Sequence, residues 1–219
     1  MDWLQATFFH WPIAKEALRA RLPTTLEVET FDGSAWIGVV AFRMHDVRLR
    51  GVPPPLALRT FGEVNVRTYV RSNDSAGVWF FSLDAADPFM VQLGRDLIRV
   101  PYHLAAIALD ESPRGITYRS VRRSDRAAFN AECVIGEPVE TPTQRDRWFV
   151  ERYCFYTEDS ARKLVRGDVV HDPWPLRSGS ARIDENTLLR PLEFEVDGDP
   201  IVHYSQGVSV RTMLPRRVG

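Results

Sequence analysis

The chain has 219 residues, of which 44% are hydrophobic, and this is enough to bury a substantial core in one domain. With 28 basic and 29 acidic residues its formal net charge is −1, so it lacks the basic field that holds nucleic acid or an anionic membrane surface. Only Lys15 and Lys163 are lysines, which leaves two candidates for any chemistry that needs a lysine amine.

Cysteine usage and hydropathy indicate a soluble, cytoplasmic protein. Cys133 and Cys154 have no metal-ligand spacing and are interpreted as buried thiols of a cytosolic chain. Residues 1–22 carry an acid at position 2 and no cluster of positive charge, which argues against a signal peptide. No apolar run approaches the length of a membrane span. We expect no membrane partner, no metal and no cofactor.

The first half of the chain predicts one helix and two hairpins. Residues 11–23 have the spacing of a short amphipathic helix. Residues 26–42 alternate apolar and polar side chains around Asp32-Gly33, which predicts a two-strand hairpin. The proline-rich residues 44–60 predict a connection, either a lid over a cavity or a plain surface loop. The clearest hairpin is 61–85.

The second half predicts mostly strands. Residues 88–98 have helical spacing, and 102–124 predict two strands joined at Arg114-Gly115. Strands are also predicted within 126–142, after a helical start in 145–159, on both sides of a turn at 166–168, and in 203–215. Many short strands with few helices predict a single α+β domain over 1–219, mainly β, on a large antiparallel sheet or barrel.

A row of polar side chains stands out in the strand FGEVNVRTYV. Glu63, Asn65, Arg67 and Tyr69 alternate with apolar residues, so all four project from one side of the strand. Facing water, they form a solvated surface, which alternation alone favours. Inside a closed barrel they line a cavity and require partners or a ligand, because unpaired buried charge is costly.

Other candidate site residues lie later in the chain. Tyr102 and His103 can both take part in acid–base chemistry, but on a strand they face opposite ways, so only one reaches a given cavity. Arg95 is able to bind a carboxylate bidentately or to form a surface ion pair. Trp174 lies between two prolines, a fixed pose that suits a cavity wall or a packed corner.

The stretch GRDLIRVPYHLA, residues 94–105, resembles acetoacetate decarboxylases, which carry a Gly-Arg-Glu turn and then Pro-Lys-Lys. LRARLPTTLEV resembles the early helix and strand of that family, and FGEVNVRTYV resembles its strand with an active-site glutamate, which falls at Glu63. Here Tyr102-His103 replaces the Lys-Lys pair, and neither lysine of the chain matches that position. Decarboxylation through a Schiff base is therefore not expected, since neither residue forms an imine.

Nearly the whole chain is identified as a member of the YqjF-like, or DUF2071, family. The matching stretches are FFHWPI, LPTTLEVETFDGSAWIGVVAFRM, FGEVNVRTYV, GVWFFSLDA, VPYHLA, ERYCFY and HDPWPL. The resemblance implies the acetoacetate decarboxylase-like fold, a closed, strongly bent antiparallel β-barrel around a cavity with a few flanking helices.

The resemblance also implies roles for the candidate residues. Glu63 with Tyr102 or His103 would form an acid–base pair, and Arg95 would bind a substrate carboxylate. The remaining candidates would shape the cavity: Asn65, Arg67, Tyr69 and Trp174. The leading hypothesis is a pocket for a small keto or hydroxy acid, with lysine-independent catalysis such as enolisation, hydration or dehydration. The alternatives are a non-catalytic binding or sensor protein and an oligomer-forming scaffold; a homo-oligomer stays open.

Overall fold

The structure is a computed structural model that describes residues 1–48, 59–73 and 75–218. Its strands are β1 Asp2–Ile13, β2 Glu27–Val28, β3 Ala35–Val47, β4 Arg59–Ser72, β5 Ser75–Ala85, β6 Tyr102–Ser112, β7 Gly115–Arg122, β8 Ala128–Pro138, β9 Cys154–Glu158, β10 Leu164–Val170, β11 Leu176–Asn186, β12 Ile201–Ser209, β13 Arg211–Thr212 and β14 Arg216–Arg217. The helices are α1 Lys15–Arg19, α2 Pro88–Leu93 and α3 Gln144–Val150, with a π-helical turn at Gly94–Ile98 and a 3-10 turn at Arg190–Leu192.

The strand pairings close a ring. The order is β5-β6-β7-β8-β11-β12-β1-β3-β4, and β4 pairs back onto β5. The expectation of a mainly β protein is confirmed, but that of a wholly antiparallel sheet is wrong, because β5 pairs in parallel with β6 and with β9. The parallel β5–β6 pairing follows from the connection through α2 and the π-helical turn, which crosses over before β6 begins.

The first predicted helix, over residues 11–23, is shorter than expected, and its first three residues belong to a strand. Residues 2–13 form β1, and the helix itself is limited to Lys15–Arg19. The stretch TFFHWPI lacks alternation because β1 is covered on both faces, so its pattern resembles that of a buried helix. None of the helices in the described residues is both long and apolar enough to cross a lipid bilayer.

Two predicted turns have different outcomes. At Asp32-Gly33 both φ angles are positive and the turn forms, but β2 pairs with β4 rather than with β3, so the hairpin assigned to 26–42 is wrong. The turn assigned to 166–168 is also wrong, because β10 runs through it without a break. Gly167 is needed there for a different reason: a methyl group would overlap the ring of Phe155.

The remaining predicted elements are confirmed with shifted ends. The 61–85 hairpin is β4–β5, the 102–124 hairpin is β6–β7, and the helix followed by a strand in 145–159 is α3–β9. The connection at 44–60 lies mostly outside the described residues, although its flanks extend β3 and β4.

Strands β1, β3 and β4 separate two hydrophobic cores. One core contains Phe9, Ile37, Val39, Val64, Val66, Tyr118 and Phe129. The other contains Phe8, Val40, Phe42, Tyr69, Phe149 and Trp174. Neighbouring residues of one strand therefore enter different cores, and both faces of these strands are removed from water.

A buried ion pair joins β5 to β7 across the start of β6. The Nε of Arg122 donates to Oδ1 of Asp84 at 2.9 Å, and the two side chains are 4% and 0% exposed. Burial raises the pKa of Asp84 to about 6, while Arg122 acts in the opposite direction. Each charge of the pair can thus be buried because the other charge compensates it directly.

We expect Arg122→Met to lower the free energy of unfolding at pH 8 by about 3–5 kcal/mol, because it leaves the Asp84 carboxylate buried without a cation. The control is Arg119→Met on the same strand, where the ion pair with Asp110 is exposed and the expected loss is about 0–1 kcal/mol. Urea denaturation measures the free energy of unfolding of both variants. Equal losses would show that the buried ion pair contributes no more to stability than the exposed one.

Candidate functional site

A cavity of about 180 Å³ lies in the second core. Its apolar wall comes from β1, β3, β5, β9, the α2 region and the segments that precede β6 and β11. It includes Trp3, Phe8, Val40, Phe42, Phe80, Leu83, Met90, Val100, Phe155 and Trp174. An apolar cavity of about 150 Å³ accommodates benzene, so this one suits a compact small molecule. Trp174 packs edge-on against Phe8 with ring centroids 5.0 Å apart, so it is part of the cavity wall.

The polar wall of the cavity is the row on β4 together with one side chain from β6. Glu63, Asn65 and Arg67 line the cavity with Tyr102, and all four are buried. The solvated interpretation of the row is therefore wrong for these residues. Tyr69 continues the row but lies against Trp148, with ring centroids 4.4 Å apart, and is not among the cavity-lining residues.

Glu63 and Tyr102 form a direct pair. The Tyr102 hydroxyl donates to Oε2 of Glu63 at 2.6 Å, and Nδ2 of Asn65 donates to Oε1 at 3.2 Å. Burial raises the pKa of Glu63 to about 7, against the opposing effect of these two hydrogen bonds. Burial and the neighbouring Glu63 hold the pKa of Tyr102 well above its ordinary value. Glu63 is thus able to exchange a proton near neutral pH, whereas Tyr102 keeps its own.

The π-helical turn positions Tyr102. The Asp87 side chain caps α2 by accepting from the Met90 N–H at 3.0 Å, and the helix continues into the turn at Gly94–Ile98. A methyl group at Gly94 would overlap the Tyr102 ring, so only glycine leaves room for it. The Gly-Arg-Asp motif, residues 94–96, therefore belongs to a π-helical turn that continues α2.

Arg95 and His103 lie outside this cavity. Arg95 is exposed, and its Nε donates to the backbone carbonyl of Tyr102 at 2.7 Å. His103 is opposite Asp84 in the β5–β6 register, and burial followed by Arg122 lowers its pKa. Arg95 thus donates to the backbone of Tyr102 and does not line this cavity. Of the alternatives Tyr102 and His103, Tyr102 is the one that lines it.

Arg67 is the buried cationic group of the cavity, whereas Arg48, the other arginine of the lining, is exposed and pairs with Asp46. The side chain of Arg67 is buried, and its Nη2 donates to the carbonyl of Phe149 at 3.2 Å. Its guanidinium lies over the Phe8 ring at 5.6 Å, its Nε has no hydrogen-bond partner, and no ion pair with it occurs among the described residues. A buried cation without a counter-ion is costly, so this end of the cavity favours an anion.

The spacing along β4 separates two chemical ends. Glu63 and Arg67 are four residues apart, which places their Cα atoms ~13 Å apart on an extended strand. Asn65 lies between them, and its Oδ1 is buried without a partner. The cavity thus has a proton-exchanging end and a cationic end joined by an amide, a layout that fits a ligand with two oxygen groups.

Sequence reasoning missed the aromatic wall from the first strand. Trp3 and Phe8 belong to β1, where no strand was predicted, so nothing indicated which of their neighbours shared a face. Recognising β1 as a strand buried on both faces would have placed Phe8 on the same side as His10.

Comparisons with known sequences give one consistent result. The model of the DUF2071 family, described as an uncharacterized conserved protein, matches residues 1–209. Uncharacterized protein YqjF of Bacillus subtilis is 35% identical over 211 residues, covering 93% of this chain and 86% of the relative.

Solved structures with the same fold are more distant in sequence. An acetoacetate decarboxylase from Legionella pneumophila has a TM-score of 0.67 at 14% identity and covers 100% of this chain and 87% of its own. The enduracididine biosynthesis enzyme MppR, in complex with pyruvate, has a TM-score of 0.70 at 12% identity, with 100% and 89% covered. An acetoacetate decarboxylase-like enzyme from Sphingomonas wittichii RW1 has a TM-score of 0.64 at 16% identity, with 99% and 92% covered. The fold is therefore acetoacetate decarboxylase-like.

We expect the pH dependence of stability to identify the raised pKa of Glu63. Between about pH 4.5 and 7 the unfolded carboxyl ionises while the buried one stays protonated, so the native state loses about 3 kcal/mol relative to a chain without this group. The measurement is the free energy of unfolding of the wild type and Glu63→Gln from pH 4.5 to 8. The difference in unfolding free energy between the two proteins reports on Glu63, because Asp84 and the histidines titrate in both proteins. A difference that is constant with pH would contradict the raised pKa.

Proposed function

The chain belongs to the DUF2071 family, and on that premise we propose that its cavity binds a small organic acid bearing a keto or hydroxy group, without covalent attachment. Neither Lys15 nor Lys163 is among the cavity-lining residues, so the proposal involves no imine. The small volume and the apolar wall favour a compact ligand with a short hydrocarbon body.

The observation that carries this proposal is the buried guanidinium of Arg67 without an acidic partner. A ligand carboxylate would supply the missing counter-charge and accept from the free Nε. The MppR complex with pyruvate supports the same ligand class, since it holds a small keto acid in a related fold.

The opposite end of the cavity supplies the chemistry. In its ionised form Glu63 would remove a proton from the carbon next to the ligand carbonyl. The C–H electron pair would form the C=C bond of an enolate, while the carbonyl π pair moves to oxygen. The carboxyl proton then returns to carbon or oxygen, so no other reactant is consumed. A pKa of about 7 suits both directions of transfer. Tyr102 would act as a hydrogen-bond donor throughout because it keeps its proton.

A non-catalytic binding or sensor protein is the second candidate. The observation that favours it is that both oxygens of Glu63 already accept hydrogen bonds within the protein, from Tyr102 and Asn65. A carboxylate held in this way recognises a ligand hydroxyl without taking part in a reaction.

We expect 4-methyl-2-oxopentanoate to bind the wild type at least tenfold more tightly than its methyl ester, because only the acid provides an anion for Arg67. Arg67→Met should remove this preference, whereas the control Arg95→Met should keep it, since Arg95 is exposed outside the cavity. Isothermal titration calorimetry at pH 7.5 measures all three proteins. Loss of the preference in Arg95→Met, or its survival in Arg67→Met, would contradict the role of Arg67.

Hydrogen exchange in the ligand distinguishes a catalytic protein from one that only binds. If Glu63 is the base, the wild type should speed the exchange of the C3 protons of 4-methyl-2-oxopentanoate in D2O, and Glu63→Gln should lower that rate by about 10²-fold or more. Proton NMR follows the exchange. Binding without any faster exchange in the wild type would reject the catalytic proposal and support the binding protein.

A further inference from the structure

A group of buried polar side chains lies just beyond Arg67. The atoms in this group that have no hydrogen-bond partner among the described residues are both ring nitrogens of His10, Nε of Arg67, the hydroxyl of Tyr69, Nη2 of Arg152 and Nδ1 of His203. All five side chains are less than 10% exposed. Buried polar atoms are nearly always hydrogen-bonded, so this concentration requires an explanation.

The ring of Phe149 fills the space that these groups share. It stacks on His10 with centroids 4.0 Å apart and planes 9° from parallel. It lies 6.0 Å from the Tyr69 ring and 6.3 Å from the His203 ring, while the Phe149 carbonyl accepts from Arg67. Phe149 also packs against the rings of Trp36 and Trp148, with centroids 4.8 and 5.5 Å away, so its surroundings are partly aromatic and partly polar. Polar groups without partners beside an apolar ring are a local conflict typical of functional positions.

Gly38 brings these side chains close together. In the sheet, Gly38 lies between His10 of β1 and Arg67 of β4. A Cβ atom there would lie 3.3 Å from Cδ2 of His10 and 3.4 Å from the Tyr69 hydroxyl. The absence of a side chain lets these groups converge over the strand.

The charges around this space leave one cation uncompensated. Arg152 pairs with Glu29, and His203 bonds Asp146 at 3.0 Å through Nε2. Arg67 has no carboxylate partner among the described residues. Burial lowers the pKa of His203, so its partner Asp146 keeps a negative charge, and the groups named here carry no net positive charge. The walls do offer buried donors without partners among the described residues, and of these the guanidinium of Arg67 suits a carboxylate.

The space is contiguous with the cavity. Arg67 and Phe8 line the cavity, and Phe8 lies next to His10 on the same face of β1, with ring centroids 6.4 Å apart. We propose that the space filled by the Phe149 ring is a second compartment of the cavity that accepts the carboxylate of an aromatic acid, with Phe149 as the residue that closes it and limits ligand length. The inference extends the proposed function, because Arg67 belongs to both compartments.

The test uses Phe149→Ala with two matched probes. Benzene replaces only the lost ring, whereas benzoate replaces the ring and adds a carboxylate. We expect Phe149→Ala to bind benzoate at least tenfold more tightly than the wild type does, and more tightly than it binds benzene. Adding Arg67→Met should abolish the gain. The control is Phe129→Ala, which opens space in the other core, where Phe129 packs against Phe9, and which should bind benzene but not benzoate.

Calorimetry and thermal shift at pH 7.5 measure these affinities. A Phe149→Ala protein that prefers benzene, or that binds benzoate no better than the wild type, would overturn the compartment and make Phe149 an ordinary core residue. If that variant does not fold, Phe149→Leu removes part of the ring and is judged by the same comparison. Wild-type binding of 4-methyl-2-oxopentanoate tests the proposed function separately, so one proposal can fail while the other stands.

Discussion

Strand β4 is covered on both faces, and the positions of the polar groups of the site depend on this constraint. Its valines enter one core, so the alternate residues Glu63, Asn65 and Arg67 have to point into the other. There they are removed from water. Desolvation then gives the carboxyl a pKa near neutrality and leaves the guanidinium without a counter-ion. The same burial that completes the sheet thus places polar and ionisable groups in the cavity wall.

The replacement of the lysine pair changes which chemistry this wall can support. Tyr102 faces the cavity and donates to Glu63, so the position that would carry an amine nucleophile in acetoacetate decarboxylases holds a permanent hydrogen-bond donor. His103 faces the Asp84–Arg122 pair instead. The described cavity lining contains a buried acid and a buried cation but no lysine, which supports the non-covalent recognition and proton transfer proposed above.

Alternation and family resemblance were sufficient to predict the mainly β fold, the β4–β5 hairpin and the interior row. They failed where the local sequence pattern does not determine which structure forms or where a side chain points. Strand β1 has apolar residues on both faces and therefore lacks the alternation that identifies a strand. The resemblance of the Gly-Arg-Asp motif to that of the decarboxylases predicts Arg95 near the cavity, but the π-helical turn leaves its side chain exposed, a geometry that the motif alone does not reveal. The buried polar side chains around Phe149 come together through contacts between strands β1, β3, β4 and helix α3. Only the tertiary structure shows these contacts.

A direct titration of the Glu63 carboxyl tests the central claim that burial raises its pKa to about 7 at one end of the cavity, opposite the Arg67 end. Carbon-13 NMR of protein labelled at the glutamate carboxyl, with Glu63→Gln to assign the resonance, gives its pKa with and without 4-methyl-2-oxopentanoate. The account predicts a pKa of about 7 in the free protein and a higher value in the presence of the acid, because a nearby anion disfavours ionisation. A pKa close to the ordinary 4.5 that does not respond to the acid would contradict it.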